Sequence, residues 1–73
     1  MNTTNQDFYE IRYAYPTSEK AKQFKRSAEG CYYVQIKGFD TEAFKTIAEA
    51  TEYAQGTGYM PSFYSLDVFK GGY

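Results

Sequence analysis

The side chains that could carry chemistry are few, and their types do not form a catalytic set. The chain has no histidine, which is the commonest general base, and Cys31 is its only cysteine. A cysteine without a histidine cannot form the Cys–His pair that activates a thiol as a nucleophile. A single cysteine also excludes a disulfide within the chain. We therefore expect Cys31 to be a buried strand residue.

The carboxylates and glycines do not supply a catalytic arrangement either. Glu49 and Glu52 lie on a predicted exposed helix face, where no burial would favour the protonated form of one and the charged form of the other, so that one acts as an acid and the other as a base. The Gly-Thr-Gly at residues 56–58 follows a helix, whereas a phosphate-binding loop precedes one. Zinc would need carboxylates plus one thiolate, which is a rare ligand set. The sequence therefore predicts a protein that is not an enzyme and has no catalytic residue, metal or cofactor.

Two stretches with alternating residues predict strands. In FYEIRYAY, residues 8–15, Tyr9 and Ile11 share one face with two further tyrosines, and Pro16 ends the strand. In CYYVQIKGF, residues 31–39, Val34 and Ile36 mark the core face, so the neighbouring Tyr33 belongs to a wetter face. A third strand is predicted over residues 62–70, SFYSLDVFK, by the same alternation.

One long helix is predicted over residues 41–55. Asp40 is a good N-cap residue, and Phe39 and Phe44 have the spacing of a hydrophobic staple. Apolar residues recur from Phe44 to Ala54 at intervals of three and four. Residues 17–30 allow two interpretations, a short helix capped by Thr17 or Ser18 and ended by Gly30, or a polar loop.

These elements predict an α+β fold in a single domain of residues 1–73, with frayed tails at 1–7 and 71–73. The predicted order is β–(short α or loop)–β–α–β, a three-stranded, mostly antiparallel sheet with the long helix on one face. The predicted helix-facing set is Tyr9, Ile11, Tyr13, Tyr32, Val34, Ile36, Tyr64, Leu66 and Val68. The opposite set is Phe8, Glu10, Arg12, Tyr33, Gln35, Lys37, Phe63, Ser65, Asp67 and Phe69.

The opposite face is the strongest functional signal, because it is too aromatic for an ordinary solvated face and too charged for a buried one. Tyrosine, phenylalanine and arginine on an open sheet face are typical of a protein interface. The predicted partner-binding residues on this face are Arg12, Tyr33, Phe63 and Phe69. A second predicted contact is the acidic outer face of the helix, formed by Glu42, Glu49 and Glu52.

Two alternatives remain open at this point. A single-stranded nucleic acid could bind through Lys20, Lys22, Lys25, Arg26 and Lys37, with Tyr33 and Phe63 as stacking platforms. The net charge of −1 makes this the less favoured interpretation. The aromatic face could instead be the interface of a homodimer, which would support a chain of only 73 residues.

Size, acidity and the lack of catalytic residues give the chain a resemblance to small accessory proteins of phages and mobile elements, including anti-CRISPR inhibitors. The resemblance implies a protein that inhibits a host or defence complex by covering one of its surfaces. No apolar run approaches the roughly 20 residues that span a bilayer. The polar start, MNTTNQD, lacks the pattern of a secretion signal, so we expect a cytoplasmic protein that contacts another protein and no membrane.

Overall fold

The computed structural model describes residues 8–68, which form a small α+β fold with a mixed four-stranded sheet. The elements in chain order are β1 (Phe8–Ala14), α1 (Glu19–Gln23), β2 (Cys31–Ile36), β3 (Phe39–Phe44), α2 (Ile47–Gly56) and β4 (Met60–Pro61). The strand order across the sheet is β3-β2-β1-β4, and only the two-residue β4 runs parallel to its neighbour. The α+β class is confirmed, whereas the predicted set of three strands matches the sheet only in part.

The two strands predicted from alternation form the centre of the sheet. β1 and β2 pair antiparallel, with Ile11 opposite Val34 and Tyr13 opposite Tyr32. β2 ends at Ile36 and does not reach residue 39, because Lys37 and Gly38 form a two-residue turn. Both have positive φ, 56° and 85°, which matches the twist of a tight hairpin.

Residues 39–44 form a strand, so the predicted start of the long helix is wrong. β3 pairs antiparallel with β2, with a register irregularity opposite Tyr33–Gln35. Asp40 is therefore a strand residue and not an N-cap, and Phe39 and Phe44 do not form a staple. α2 begins at Ile47, where the side chain of Thr46 accepts a hydrogen bond from the Glu49 N–H at 3.2 Å.

Residues 62–68 form turns rather than the predicted third strand. The Ser62 N–H donates to the Tyr9 carbonyl at 2.7 Å, and the Leu66 N–H donates to the Ile11 carbonyl at 3.0 Å. This turn segment therefore lies along the edge of β1 and satisfies some of its backbone groups without extending the sheet. Residues 69 and 70, which the prediction also included, lie outside the described residues.

Both interpretations of residues 17–30 are partly realised. α1 is a helix of five residues, and the Ser18 side chain accepts from the Ala21 N–H at 3.1 Å. The chain continues as a turn-rich loop, so Gly30 lies well beyond the C-cap at Phe24. Gly30 has a φ of 77°, and a Cβ there would lie 2.7 Å from the Ala14 carbonyl oxygen. Only glycine fits this position without strain.

The main core lies between the sheet and α2. Tyr9, Ile11 and Val34 are buried against Ala50 and Ala54 of the helix. These three strand residues confirm part of the predicted helix-facing set, and Tyr32, Ile36 and Leu66 pack at its margin, whereas Tyr13 is 37% exposed. Tyr64 was predicted to belong to this set but is 64% exposed, because its segment is a turn at the sheet edge and not a strand.

A second, smaller cluster covers part of the opposite face. Ala14, Cys31 and Tyr33 of the sheet are buried against Ala21 of α1, with Phe24 packed beside them. The prediction that Cys31 is buried is confirmed, and burial raises the pKa of its thiol. The expectation that only one face of the sheet is covered is wrong, since α1 closes one end of the other face.

Candidate functional site

The exposed middle of the face opposite α2 carries a row of polar side chains that bind one another. In the described structure this polar row consists of Glu10, Arg12, Gln35, Asp40 and Lys20. Arg12 lies 3.5 Å from both the Glu10 carboxylate and the Gln35 amide oxygen. Gln35 donates to Asp40 at 2.8 Å, and the Lys20 ammonium donates to the same carboxylate at 2.6 Å. The charges on this face therefore balance within the protein.

The pKa values at one end of the row agree with this pairing. Partial burial favours the neutral form of Asp40, but the hydrogen bonds from Lys20 and Gln35 outweigh it and hold the pKa of Asp40 below its usual value. The hydrogen bond to Asp40 raises the pKa of Lys20. Both groups are thus held in their charged forms by contacts inside the chain.

Tyr33 does not lie on an open surface, which corrects the predicted binding face. Its side chain is only 6% exposed and packs against Phe24 with ring centroids 5.5 Å apart. The Lys20 ammonium lies 5.5 Å from the Tyr33 ring centroid. No nucleic-acid base can stack on a ring covered in this way. Arg12, also predicted as a contact residue, is exposed but belongs to the polar row.

Exposed aromatic side chains instead gather beside the start of β1. Phe8, Phe63 and Tyr64 are 36%, 70% and 64% exposed, and we call these three residues the aromatic corner. The Phe63 and Tyr64 rings are nearly perpendicular, at 85°, with centroids 5.3 Å apart. All three residues line a concave cavity of about 440 Å³ that also borders Glu10 and Gln35. Met60, 64% exposed, is the strand partner of Phe8.

A buried hydrogen-bond network fixes the segment that carries Phe63 and Tyr64. Ser65 is fully buried, and its hydroxyl accepts from the Ile11 N–H at 2.8 Å while donating to Asp67. The Tyr9 hydroxyl donates to the other oxygen of the Asp67 carboxylate at 2.7 Å. Burial and the Asp67 carboxylate raise the pKa of Tyr9 above its ordinary value. The corner is thus attached to β1, one of the two central strands of the sheet.

The remaining predicted contact residues do not form one surface. Glu42 is on β3 and not on a helix, whereas Glu49 and Glu52 are exposed on α2. The predicted acidic helix face is therefore reduced to two residues. Phe69 lies outside the described residues.

The five cations predicted to bind nucleic acid lie in two separate segments of the fold. Lys20, Lys22, Lys25 and Arg26 lie in or just after α1, and Lys20 is paired with Asp40. Lys37 lies in the turn at the opposite end of β2, with its ammonium 5.6 Å from the Tyr59 ring centroid. The structure does not bring these five residues together.

Phe8 and Tyr64 were not selected from the sequence as candidate contact residues, and the structural role of Ser65 was missed. Phe8 was placed on the correct face but was not chosen as a contact residue. Tyr64 was assigned to the core because it alternates with Leu66, although the adjacent serines favour turns. No local signal marks Ser65 as a buried residue that binds β1, because its partner Ile11 lies 54 positions earlier.

The comparisons with known proteins do not identify a relative. No protein-family model matches the chain, and no curated protein or solved structure is significantly similar to it. Within residues 8–68, no three histidine, cysteine, aspartate or glutamate side chains come close enough to bind a metal ion. Neither described helix has the length and apolar character needed to cross a membrane.

Proposed function

We propose that this chain is a small non-enzymatic protein-binding module that inhibits a larger complex by covering one of its surfaces. The observation that carries the proposal is the aromatic corner, where three exposed rings surround a cavity at one end of a small domain. A host or defence complex is the proposed target, in keeping with the resemblance to small accessory proteins of phages and mobile elements.

The rings of the aromatic corner are exposed, whereas the buried polar side-chain groups of the described chain all have hydrogen-bond partners. Among the described residues, no buried side-chain nitrogen or oxygen lacks a hydrogen-bond partner. Phe63 and Tyr64 are mostly exposed, so a bound partner would bury much of their apolar surface. Large, rigid aromatic side chains near a concave site are the residues that contribute most to protein–protein affinity.

Protein binding accounts for the geometry better than nucleic-acid binding does. The stacking platform predicted at Tyr33 is covered by α1, and Lys37 lies in the β2–β3 turn, away from the α1 segment that carries the other four cations. The homodimer alternative would use the same corner, so the test below must distinguish a second copy of this chain from another protein.

The test is affinity capture with three immobilised baits: the wild-type chain, Phe63→Ala and Glu52→Gln. Phe63→Ala removes one wall of the corner, whereas Glu52→Gln changes an exposed residue of α2 and serves as the matched control. Light scattering of each bait in solution establishes whether the chain binds itself. The captured proteins are quantified by mass spectrometry.

The proposal predicts one protein or complex that the wild-type and Glu52→Gln baits enrich equally. Phe63→Ala should retain at least about tenfold less of it, as expected for loss of an aromatic hot-spot residue. Equal capture by all three baits would contradict the role of the corner. A wild-type chain that is dimeric and becomes monomeric on Phe63→Ala would assign the corner to self-association instead.

A further inference from the structure

We propose that the cavity at the aromatic corner binds an arginine side chain of the partner protein. This inference rests on the proposed function and adds the chemistry of the contact. The site is the cavity of about 440 Å³ between β1 and the turn at residues 62–64. Its volume is within the range of pockets that enclose a small ligand, so one long side chain can enter it.

The walls of the cavity suit a planar cation. The perpendicular rings of Phe63 and Tyr64 form two sides, and Phe8 contributes a third aromatic side chain. A cation within about 6 Å of a ring centroid is attracted to the negative face of the ring. A guanidinium gains more from such walls than an ammonium, because it is planar, more weakly hydrated and able to stack.

The polar lining has the complementary charge. Glu10 and Gln35 contribute a carboxylate and an amide, and no lysine or arginine is among the described residues that line the cavity. Arg12 contacts both groups, with its Nε 3.5 Å from a Glu10 carboxylate oxygen and its Nη1 3.5 Å from the Gln35 amide oxygen. An exposed ion pair of this kind is weak, so the carboxylate can also accept a hydrogen bond from an entering guanidinium.

Arginine fits these groups better than other side chains of similar length. Its apolar stem can lie along the rings while its forked N–H groups reach Glu10 and the amide oxygen of Gln35. Lysine would place a point charge there without the stacking or the two-pronged contact. A neutral side chain of the same shape, such as citrulline, would lose both the charge and the attraction to the rings.

The experiment uses the isotope-labelled full chain and three short capped peptides, in which arginine, citrulline or lysine stands between two glycines. Each peptide is titrated by nuclear magnetic resonance, and the amide signals of Glu10, Gly38 and Tyr64 report on the cavity. Each titration is repeated on Glu10→Gln, which keeps the size of the side chain, and on Glu52→Gln as the distant control. None of these titrations requires the partner protein, so their outcome is independent of the capture experiment.

The arginine peptide should shift these signals with millimolar affinity, at least about fivefold tighter than the citrulline and lysine peptides. Glu10→Gln should weaken arginine binding about threefold or more, leave citrulline unchanged and behave unlike Glu52→Gln. Equal affinity for arginine and citrulline would overturn the inference, and so would a stronger response to lysine. A null titration combined with Phe63-dependent capture would reject the arginine site and leave the proposed function intact.

Discussion

Two aromatic regions of this small chain differ in exposure, although the sequence places both on the same side of the predicted sheet. Tyr33 lies beneath α1 at one end of the face and is nearly inaccessible, whereas Phe63 projects from a turn at the margin of the sheet and is 70% exposed. The difference arises from what lies in front of each ring. Helix α1 closes the first region, and no described element covers the second to a similar degree.

The comparison shows that the type of residue on a sheet face does not decide whether the face is a binding surface. The Lys20 and Asp40 charges beside Tyr33 bind one another, so their presence did not indicate an external partner. Most of the aromatic and charged residues that suggested an interface contact one another within the chain. The aromatic corner differs because its exposed rings lie together around one cavity.

The largest effect is expected from the core beneath α2, which both aromatic regions depend on. Ile11→Ala should lower the free energy of unfolding by about 3 to 4 kcal/mol, because the side chain is fully buried and its removal leaves a cavity. Urea denaturation measures this change. Ile47→Ala, at a position 37% exposed, is the control and should cost about 1 kcal/mol or less.

A smaller effect should follow from disconnecting the corner from β1. Ser65→Ala removes the acceptor for the buried Ile11 N–H and should cost about 2 kcal/mol in urea denaturation. Ser62→Ala, whose hydroxyl accepts from the Tyr64 N–H in an exposed turn, is the matched control. If the two variants lose equal stability, Ser65 is not the attachment point of the segment.

Tyr9 should make stability depend on pH in the alkaline range. Its pKa in the folded chain is raised above the ordinary value of 10.0, so its hydrogen bond to Asp67 stabilises the fold fully below pH 10. This contribution is lost as the pH rises further, because the unfolded chain releases the proton more readily. Tyr9→Phe should cost about 1 kcal/mol at neutral pH.

The pH prediction is tested by measuring unfolding of both proteins from pH 7 to pH 11. The wild-type chain should lose stability more steeply above pH 10 than Tyr9→Phe does. Parallel curves for the two proteins would show that the Tyr9 hydroxyl has no special environment in the folded chain.

The polar row should give the smallest effect, because its pairs are exposed. Asp40→Asn should lower the melting temperature by under about 4 °C near neutral pH. The pKa of Asp40 is lowered below the ordinary 3.8, so its pairing stabilises the fold above that pH and is lost as the pH falls through the folded-state value. The difference between wild type and variant should therefore vanish in acid, which thermal melts can check.

The parts of the fold that sequence predicted well are those set by local pattern. Alternation placed β1 and β2, and the apolar intervals placed α2, although the predicted helix began six residues too early, at 41 instead of 47. β3 was missed because Thr41, Ala43 and Phe44 fit both a strand and the start of a helix. The hairpin turn that leads into β3 has Lys37 before Gly38, whereas asparagine or aspartate before glycine is the usual sequence signal of such a turn.

The candidate site depended on long-range contacts and was therefore predicted less well. Phe63 was chosen correctly as an exposed aromatic residue, but Tyr64, which is also exposed, was predicted to lie in the core. The error arose because the alternation of residues 62–68 matches a strand, whereas the Ser65 hydroxyl takes the place of a strand partner for Ile11. Likewise, only the position of α1 over the sheet reveals that Tyr33 is buried.

The most direct test of the contrast between the two regions is the unfolding of Tyr33→Ala and Phe63→Ala, measured side by side in urea. We predict that Tyr33→Ala lowers the free energy of unfolding by about 3 kcal/mol, as for a buried aromatic side chain, and that Phe63→Ala lowers it by less than about 1 kcal/mol. A loss for Phe63→Ala as large as that for Tyr33→Ala would contradict the account, because Phe63 would then support the fold and would not be available to bind a partner.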